Sequence, residues 1–390
     1  MEEKGSRRFG AFLRKLREDR RLTLDAIEEL SSAQRDRISK TYLSRCENGR
    51  TLPSFTKLFT LSKIYKTKLT SLTERLELDV ELEGMPAVDL TGASYEELAT
   101  RGSEEIHHGN LKKAFLLFNT AWDVATLKEE GAERSVKEAQ ARLALAISLY
   151  RMGRLEMAEE ECKNIISMPG ISDHLARRAL VLVSAIYHDS GRDPLARIMI
   201  EQAERKADPA DVRAEADVFE MKGVLSRWEG NLEQARSDLD RARSLYEQLK
   251  DDFNLVKNYA NTAEVHMCAG RHEEAMGLFS KSLDLARDLG YQYYVAKRHH
   301  DIGTVHFARG RTDLAAKSFY DSNEISRRAD YYDITFLNCF YLWKIALGRG
   351  DRAGAALNEK SLRFFAFKIE ETFPELEEFK AFLEKGQVRP

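Results

Sequence analysis

Proline and cysteine are scarce in this chain. Only 7 prolines and 22 glycines occur in 390 residues. That scarcity excludes collagen-like and Pro/Gly-rich disordered chains and argues against a β-sandwich built on tight turns. The four cysteines, Cys46, Cys162, Cys268 and Cys339, lie far apart with no paired spacing. A disulfide framework or zinc site is therefore not expected, and the pattern suits a reducing cytoplasm. No stretch approaches the ~18–20 apolar residues of a membrane span. Met1-Glu2-Glu3-Lys4 opens acidic with no apolar core behind it, so no secretory signal is read there. Gly-rich phosphate loops, nucleophile elbows and carboxylate dyads are missing. His107-His108 and His299-His300 are adjacent pairs, and neighbours one apart point to different helix faces. No enzymatic activity, cofactor or metal site is expected.

What is present points to long solvated helices around a sizeable core. The hydrophobic fraction is 43% and the charged fraction 32%. The net charge of −3 hides an asymmetry. Residues 1–75 carry 18 Lys+Arg against 10 Asp+Glu, a net of +8, which leaves −11 for the remainder. A small basic module joined to a long acidic one suggests nucleic-acid binding at one end only.

The acidic part is periodic. A Gly is followed five residues later by Ala at Gly109/Ala114, Gly153/Ala158, Gly191/Ala196, Gly230/Ala235, Gly270/Ala275, Gly310/Ala315 and Gly350/Ala355. The glycines are 44, 38, 39, 40, 40 and 40 residues apart. Each sits between two apolar helical stretches. Such a unit is a helical hairpin: Gly takes the left-handed position that ends the first helix, and the small Ala lets the second approach it. Phe118, Ile200, Leu239, Phe279 and Phe319, four residues past the Ala, fill the layer between helices. A lone hairpin cannot bury its apolar face, so neighbours stack into a solenoid.

At these residues the chain resembles the tetratricopeptide repeat family in a forty-residue form. The family's small residue on the first helix appears as Gly102, Ala146, Ser184, Gly223, Ala263 and Gly303. Trp343 takes that place in the seventh repeat and Glu359 replaces an apolar residue there, as suits a terminal unit. The stretch from Pro374 reads as a last amphipathic helix that seals the end.

Residues 1–75 read as five short helices. Phe9, Phe12, Leu13 and Leu16 share one face of the first, Thr23 and Ser39 are candidate N-caps of the second and third, and Pro53-Ser54 opens the fourth. Leu16-Arg17, Leu22-Thr23 and the string Leu43-Ser44-Arg45-Cys46-Glu47-Asn48-Gly49-Arg50 resemble the helix-turn-helix domain of phage-repressor-like (XRE-type) bacterial regulators. Two features depart from that pattern. About five extra residues near Ser31 to Arg37 lengthen the turn before the third helix, and Leu24 stands where the family usually has a phosphate-binding Gln.

The resulting expectation is an all-α protein. It comprises a helix-turn-helix domain over 1–75, a linker over 76–94 with Ser94 and Glu97 as a capping box, and about seven hairpins plus a capping helix over 95–390. By the resemblance, the N-terminal end of the third helix enters the major groove, with Lys40, Thr41 and Arg45 at base edges, Ser39 at the cap and Ser44 also in the DNA-binding set. Arg45 is placed to reach a guanine bidentately. Thr23 and Asn48 would meet phosphate, and Arg35, Arg37 and Arg50 would add attraction. Arg17 and Glu47 would form the family's internal ion pair. Counting from the repeat Ala, inward-facing positions of the first helices include Arg178, Arg227, Lys257, Asn261, Lys297, His300, Asn338 and Lys344. Cations and amides there suit a peptide's carboxylate and backbone. The layout resembles peptide-responsive bacterial transcription regulators. The expected function is sequence-specific, dimeric transcriptional regulation in the cytoplasm, with a peptide or protein on the concave surface. The alternative is a repeat scaffold that the helix-turn-helix merely localises. Pairing through late repeats is expected at Phe336, Phe340, Tyr341, Phe364, Phe365 and Phe367. Tyr291, Tyr293, Tyr294, Tyr331, Tyr332 and Phe336 read as packing between repeats.

Overall fold

The computed structural model describes residues 5–34, 36–83, 85, 92–128, 131–206, 208, 210–329, 331–369 and 373–387. Every regular element among them is a helix. Arg35 and residues 86–91 of the expected linker lie outside the described residues.

The first five helices are α1 (Arg7–Asp19), α2 (Leu24–Ser32), α3 (Lys40–Glu47), α4 (Phe55–Tyr65) and α5 (Leu69–Glu83). Thr23 Oγ1 accepts from the Ala26 N–H and Ser39 Oγ from the Tyr42 N–H, as N-caps do. Phe9, Leu13, Ile27, Ile38, Leu43, Leu58, Leu61, Tyr65 and Leu72 close one small core. Ion pairing supplements it. Arg17 meets Glu47 with both ends of its fork, Nε to Oε1 at 2.7 Å and Nη2 to Oε2 at 2.8 Å. This ties α1 to the end of α3.

α5 does not stop at residue 75. Its first half packs into this small core through Leu72 and Leu76, and its second half joins the repeat core through Leu78 and Leu82. Residues 76–83, expected to be linker, are helix because both halves of that segment have an apolar face to bury.

Seven hairpins follow: α6 (Tyr95–His107) and α7 (Leu111–Lys128), α8 (Gly131–Arg151) and α9 (Leu155–Ile166), α10 (Asp173–Asp189) and α11 (Asp193–Arg205), α12 (Val212–Trp228) and α13 (Leu232–Leu249), α14 (Asp252–Cys268) and α15 (His272–Asp288), α16 (Gln292–Ala308) and α17 (Thr312–Arg328), and α18 (Tyr332–Gly348) and α19 (Arg352–Ala366). The Ser94/Glu97 capping box opens α6. All seven hairpin glycines have φ between 69° and 82°, the region where a Cβ costs most. The small residues of the first helices face the packed residue of the second. A Cβ on Gly303 would stand 2.5 Å from the Phe319 ring, and one on Gly102 2.5 Å from Phe118.

The last hairpin is sealed by α20 (Pro374–Gln387). Trp343, in place of a small residue, packs its ring 4.8 Å from Phe382 and 5.9 Å from Phe379. The aromatic dimer surface expected here divides in two. Phe336 and Phe340 are buried in this cap, so they are unavailable for pairing, whereas Phe364 is 59% and Phe367 92% exposed. The turn of α18 that carries Phe336 and Phe340 is covered on both sides, by α19 and α20, which a period count does not show.

Two glycines in adjacent repeats test the packing with opposite signs. Gly303→Ala should cost ~1–3 kcal/mol because the buried Phe319 ring must move. Gly277→Ala, where a Cβ meets nothing within 4 Å, should stabilise α15 by up to ~1 kcal/mol. Urea midpoints read both, and equal shifts would contradict this packing.

Candidate functional site

The exposed edge of α3 is set by what holds its buried side. Leu43, Cys46 and Glu47 face the core, so Lys40, Thr41, Ser44, Arg45 and Asn48 share the outer face three and four residues apart. The longer turn before α3 is stitched down. The Ile38 N–H donates to Ser31 Oγ at 2.9 Å, Arg37 pairs with Glu28 at 2.7 Å, and the Lys40 N–H donates to Glu28 Oε2 at 3.1 Å. That backbone hydrogen bond, with Arg37, holds the Glu28 carboxyl below its ordinary value.

Thr41, Arg45 and Arg50 are exposed, and neither arginine has an ion-pair partner among the described residues. Lys40 reaches Asp25 in a surface pair at 2.9 Å, which is worth little and is readily exchanged for phosphate. Asn48 is engaged within the protein: its Oδ1 accepts from Arg14 Nη2 at 2.7 Å and its Nδ2 donates to the Ser44 carbonyl at 2.7 Å. Ser39 and Thr23 accept cap hydrogen bonds at the two helix N-termini, where unpaired N–H groups favour anions.

This domain is bound to the repeats by charge and stacking. Lys68 of the turn before α5 pairs with Glu156 and with Glu159 of α9, and Arg154 pairs with Glu77 at 2.6 Å. Arg75 lies over Phe12 of α1 at 4.8 Å and Phe115 of α7 at 5.3 Å. Lys15 sits 3.1 Å over the Trp122 ring. Burial raises the Glu159 carboxyl, but Lys163, Lys68 and Arg192 outweigh it and hold it at about 2.

On the first helices of the repeats, the eight inward candidates separate into three groups. Arg178 and Lys257 are half-buried and have no hydrogen-bond or ion-pair partner among the described residues. Burial pushes the Arg178 guanidinium down from its ordinary value. Arg227, Asn261, Lys297 and Lys344 are paired: Arg227 with Glu264 at 2.8 Å, Asn261 Nδ2 with Glu220 at 2.5 Å, Lys297 with Asp301 at 3.6 Å and Lys344 with Glu378 of α20 at 3.0 Å. Glu220 also accepts from Asn258 at 2.6 Å, and its burial raises its carboxyl.

His300 and Asn338 form the third group, and for them the inward placement is wrong. His300 is 3% exposed and Asn338 fully buried; His300 Nδ1 meets Asn338 Oδ1 at 2.9 Å, and Asn338 donates to Ser322 and Asn323. Both residues sit in the seam between neighbouring hairpins. The sequence does not single out Glu220, which is buried and accepts from Asn258 and Asn261. Nothing in the pattern separates it from the other charged residues of α12. Among the described residues no group of three His, Cys, Asp or Glu is arranged to hold a metal, and no helix is long and apolar enough to cross a membrane.

Comparison with known proteins agrees with both halves of this architecture. Residues 8–76 match the helix-turn-helix domain family, and residues 214–288 match the tetratricopeptide repeat family. No curated protein sequence matches the chain. Three solved structures are similar over nearly the whole length. One is a Rap protein complexed with competence and sporulation factor, with a TM-score of 0.55 at 14% identity, covering 92% of this chain and 96% of that one. Another is the Rap conjugation gene regulator of the plasmid pLS20 in complex with the Phr* peptide, at 0.54 and 16%, covering 96% and 97%. The third is aspartyl phosphate phosphatase F from Bacillus subtilis, at 0.50 and 14%, covering 92% and 91%. At such identities the likeness is one of fold. The chain thus combines an N-terminal helix-turn-helix domain with a tetratricopeptide solenoid.

The buried His300 makes a pH test. Burial, and then Lys297, drives its imidazole down to about 4 from an ordinary 6.5. The unfolded chain therefore takes up this proton first as pH falls. The His300 contribution is complete above 6.5 and is lost as pH drops through the window to about 4. His300→Gln should flatten that part of a urea-midpoint profile; an unchanged profile would place His300 in contact with solvent.

Proposed function

We propose that the chain is a sequence-specific DNA-binding transcriptional regulator whose repeat channel takes a peptide or protein segment. The observation that carries the reading is the outer face of α3 and the turn after it, where Thr41, Arg45 and Arg50 are exposed over the buried Leu43, Cys46 and Glu47. Arg17 and Glu47 hold the far end of that helix and Glu28 its start. Side chains presented from a braced helix lose little freedom on binding, which suits direct readout of bases.

Lys40, Thr41 and Arg45 are assigned to base edges, Ser39 and Ser44 to the DNA-facing surface beside them, and Thr23 and Arg50 to phosphate. Asn48 joins the phosphate contacts only if Arg14 comes with it, since the two are bonded. The net +8 of residues 1–75 supplies the salt-dependent part of the affinity.

On the first helices, Arg178 and Lys257 have no direct hydrogen-bond or ion-pair partner among the described residues, and Arg227, Asn261, Lys297 and Lys344 are paired groups that a ligand can exchange into. A peptide carboxylate supplies the charge that Arg178 and Lys257 lack. Two of the similar structures are complexes with a factor or a peptide, which supports this reading. The third similar structure is a phosphatase by name, but fold alone does not carry an activity to this chain. The chain is further assigned to the cytoplasm and to a homodimer formed through the exposed Leu357, Phe364 and Phe367 of α19. One helix-turn-helix reads too few base pairs for selectivity, whereas a two-fold dimer reads two half-sites.

Arg45→Ala tests the DNA assignment. Duplexes enriched from a random library by the full chain should lose ~1–3 kcal/mol of binding to the variant, with relaxed preference at one position of each half-site. An equal loss on enriched and random duplexes would show that Arg45 touches only phosphate.

A further inference from the structure

The solenoid returns on itself. His107, at the end of α6 in the first hairpin, places its ring 4.8 Å from that of Phe253 and 5.3 Å from that of Tyr291. Phe253 begins the fifth hairpin and Tyr291 is the N-cap of α16 in the sixth. The cluster continues outward. Phe253 packs edge-on against Tyr291 and Tyr294, each at 5.6 Å, and Tyr293 packs at 5.1 Å against Tyr331 of the seventh hairpin. Arg151 of α8 lies 5.8 Å over both Phe253 and Tyr294 while donating to the Ile106 carbonyl at 3.0 Å. Tyr331 brings its hydroxyl so near Gly109 that a Cβ there would stand 2.9 Å from it.

The contacts of His107 and Gly109 with the late repeats span more than 140 residues of sequence, whereas stacked hairpins ordinarily touch only their neighbours. Aromatic pairs at these separations contribute about 0.5–1.5 kcal/mol each beyond their buried area. The contact patch is small and its rings are half-buried rather than enclosed. Such a closure is firm enough to hold and weak enough to release, which is the property of a bistable element.

The first hairpin has a second attachment. Trp122 and Asp123 of α7 hold Lys15 of α1, and Phe115 backs Arg75. With the second hairpin, whose Glu156, Glu159 and Arg154 hold Lys68 and Glu77, the first hairpin grips the DNA-binding domain at one end and the late repeats at the other.

We propose that His107, Arg151, Phe253, Tyr291, Tyr294 and Tyr331 form an intramolecular latch that closes the superhelix, and that its release moves the first two hairpins and the DNA-binding domain together, as one body, away from the late repeats. The latch converts the pitch of the array into two discrete placements of α3. It works through the repeats alone and does not depend on the identity of any ligand or operator.

The test uses the full chain with Cys268→Ser as background, because Cys268 is the one exposed cysteine among the four. His107→Cys with Phe253→Cys should be joined within one chain by a short bismaleimide under native conditions; failure to cross-link would show that the two rings are not neighbours and would overturn the proposal. Release is read by spin labels in the Phe253→Ala, Tyr291→Ala double variant. The pair Ser32→Cys and Ser103→Cys spans the DNA-binding domain and the first hairpin, and should keep its distance. The pair Ser32→Cys and Lys317→Cys spans the DNA-binding domain and the sixth hairpin, and should lengthen or broaden. An unchanged second distance would overturn the latch, and a change in both would overturn the single body. Should the double variant lose helicity, the single half-buried His107→Ala gives the same two readings.

Discussion

The architecture depends on one helix that belongs to two cores. α5 buries Leu72 among the residues of the DNA-binding domain and Leu78 and Leu82 among those of the repeats. A helix shared in this way cannot bend without exposing apolar surface on one side or the other, at about 25 cal/mol for each Å². Around it stand Lys68, Arg75 and Arg154, each engaged with acidic or aromatic groups of the partner domain. The Arg75–Asp79 pair at 2.8 Å is half inside this seam, and burial raises the Asp79 carboxyl against the pull of Arg75. The placement of α3 is therefore a property of the repeat array and not of a tether.

The array in turn is governed by its hairpin turns. Each left-handed glycine ends a first helix at the same point, and each small residue sets how near the second helix comes. Over the stacked hairpins the array returns far enough to bring His107 to Phe253 and Tyr291. Under the proposed latch, changes of pitch act on the first two hairpins, to which the helix-turn-helix domain is fixed.

How much of this was legible in the sequence follows from the range of each interaction. The hairpin glycines, the Thr23, Ser39 and Ser94 caps and the Arg17–Glu47 pair were legible because each is local or belongs to a fixed motif. His300 and Asn338 were misplaced because a turn count gives the face of a helix but not whether a neighbouring hairpin covers it. Phe336 and Phe340 failed for the same reason under α20. The tyrosines at the starts of α16 and α18 do pack between repeats, as their positions suggested, yet part of that packing joins the first hairpin to the last three. No sequence pattern encodes that closure, since it depends on the summed pitch of the array. The continuity of α5 was hidden because its apolar positions serve two different partners.

The central claim is that the channel and α3 are coupled through one packed body. Reciprocal linkage measures it directly: affinity of the full chain for an enriched duplex, with and without a pool of short peptides bearing free carboxyl termini, alongside the melting temperature in the same pool. The account predicts that peptides which raise the melting temperature also change duplex affinity, by about 5- to 150-fold for a coupling of ~1–3 kcal/mol. Peptides that raise the melting temperature and leave duplex affinity untouched would contradict it.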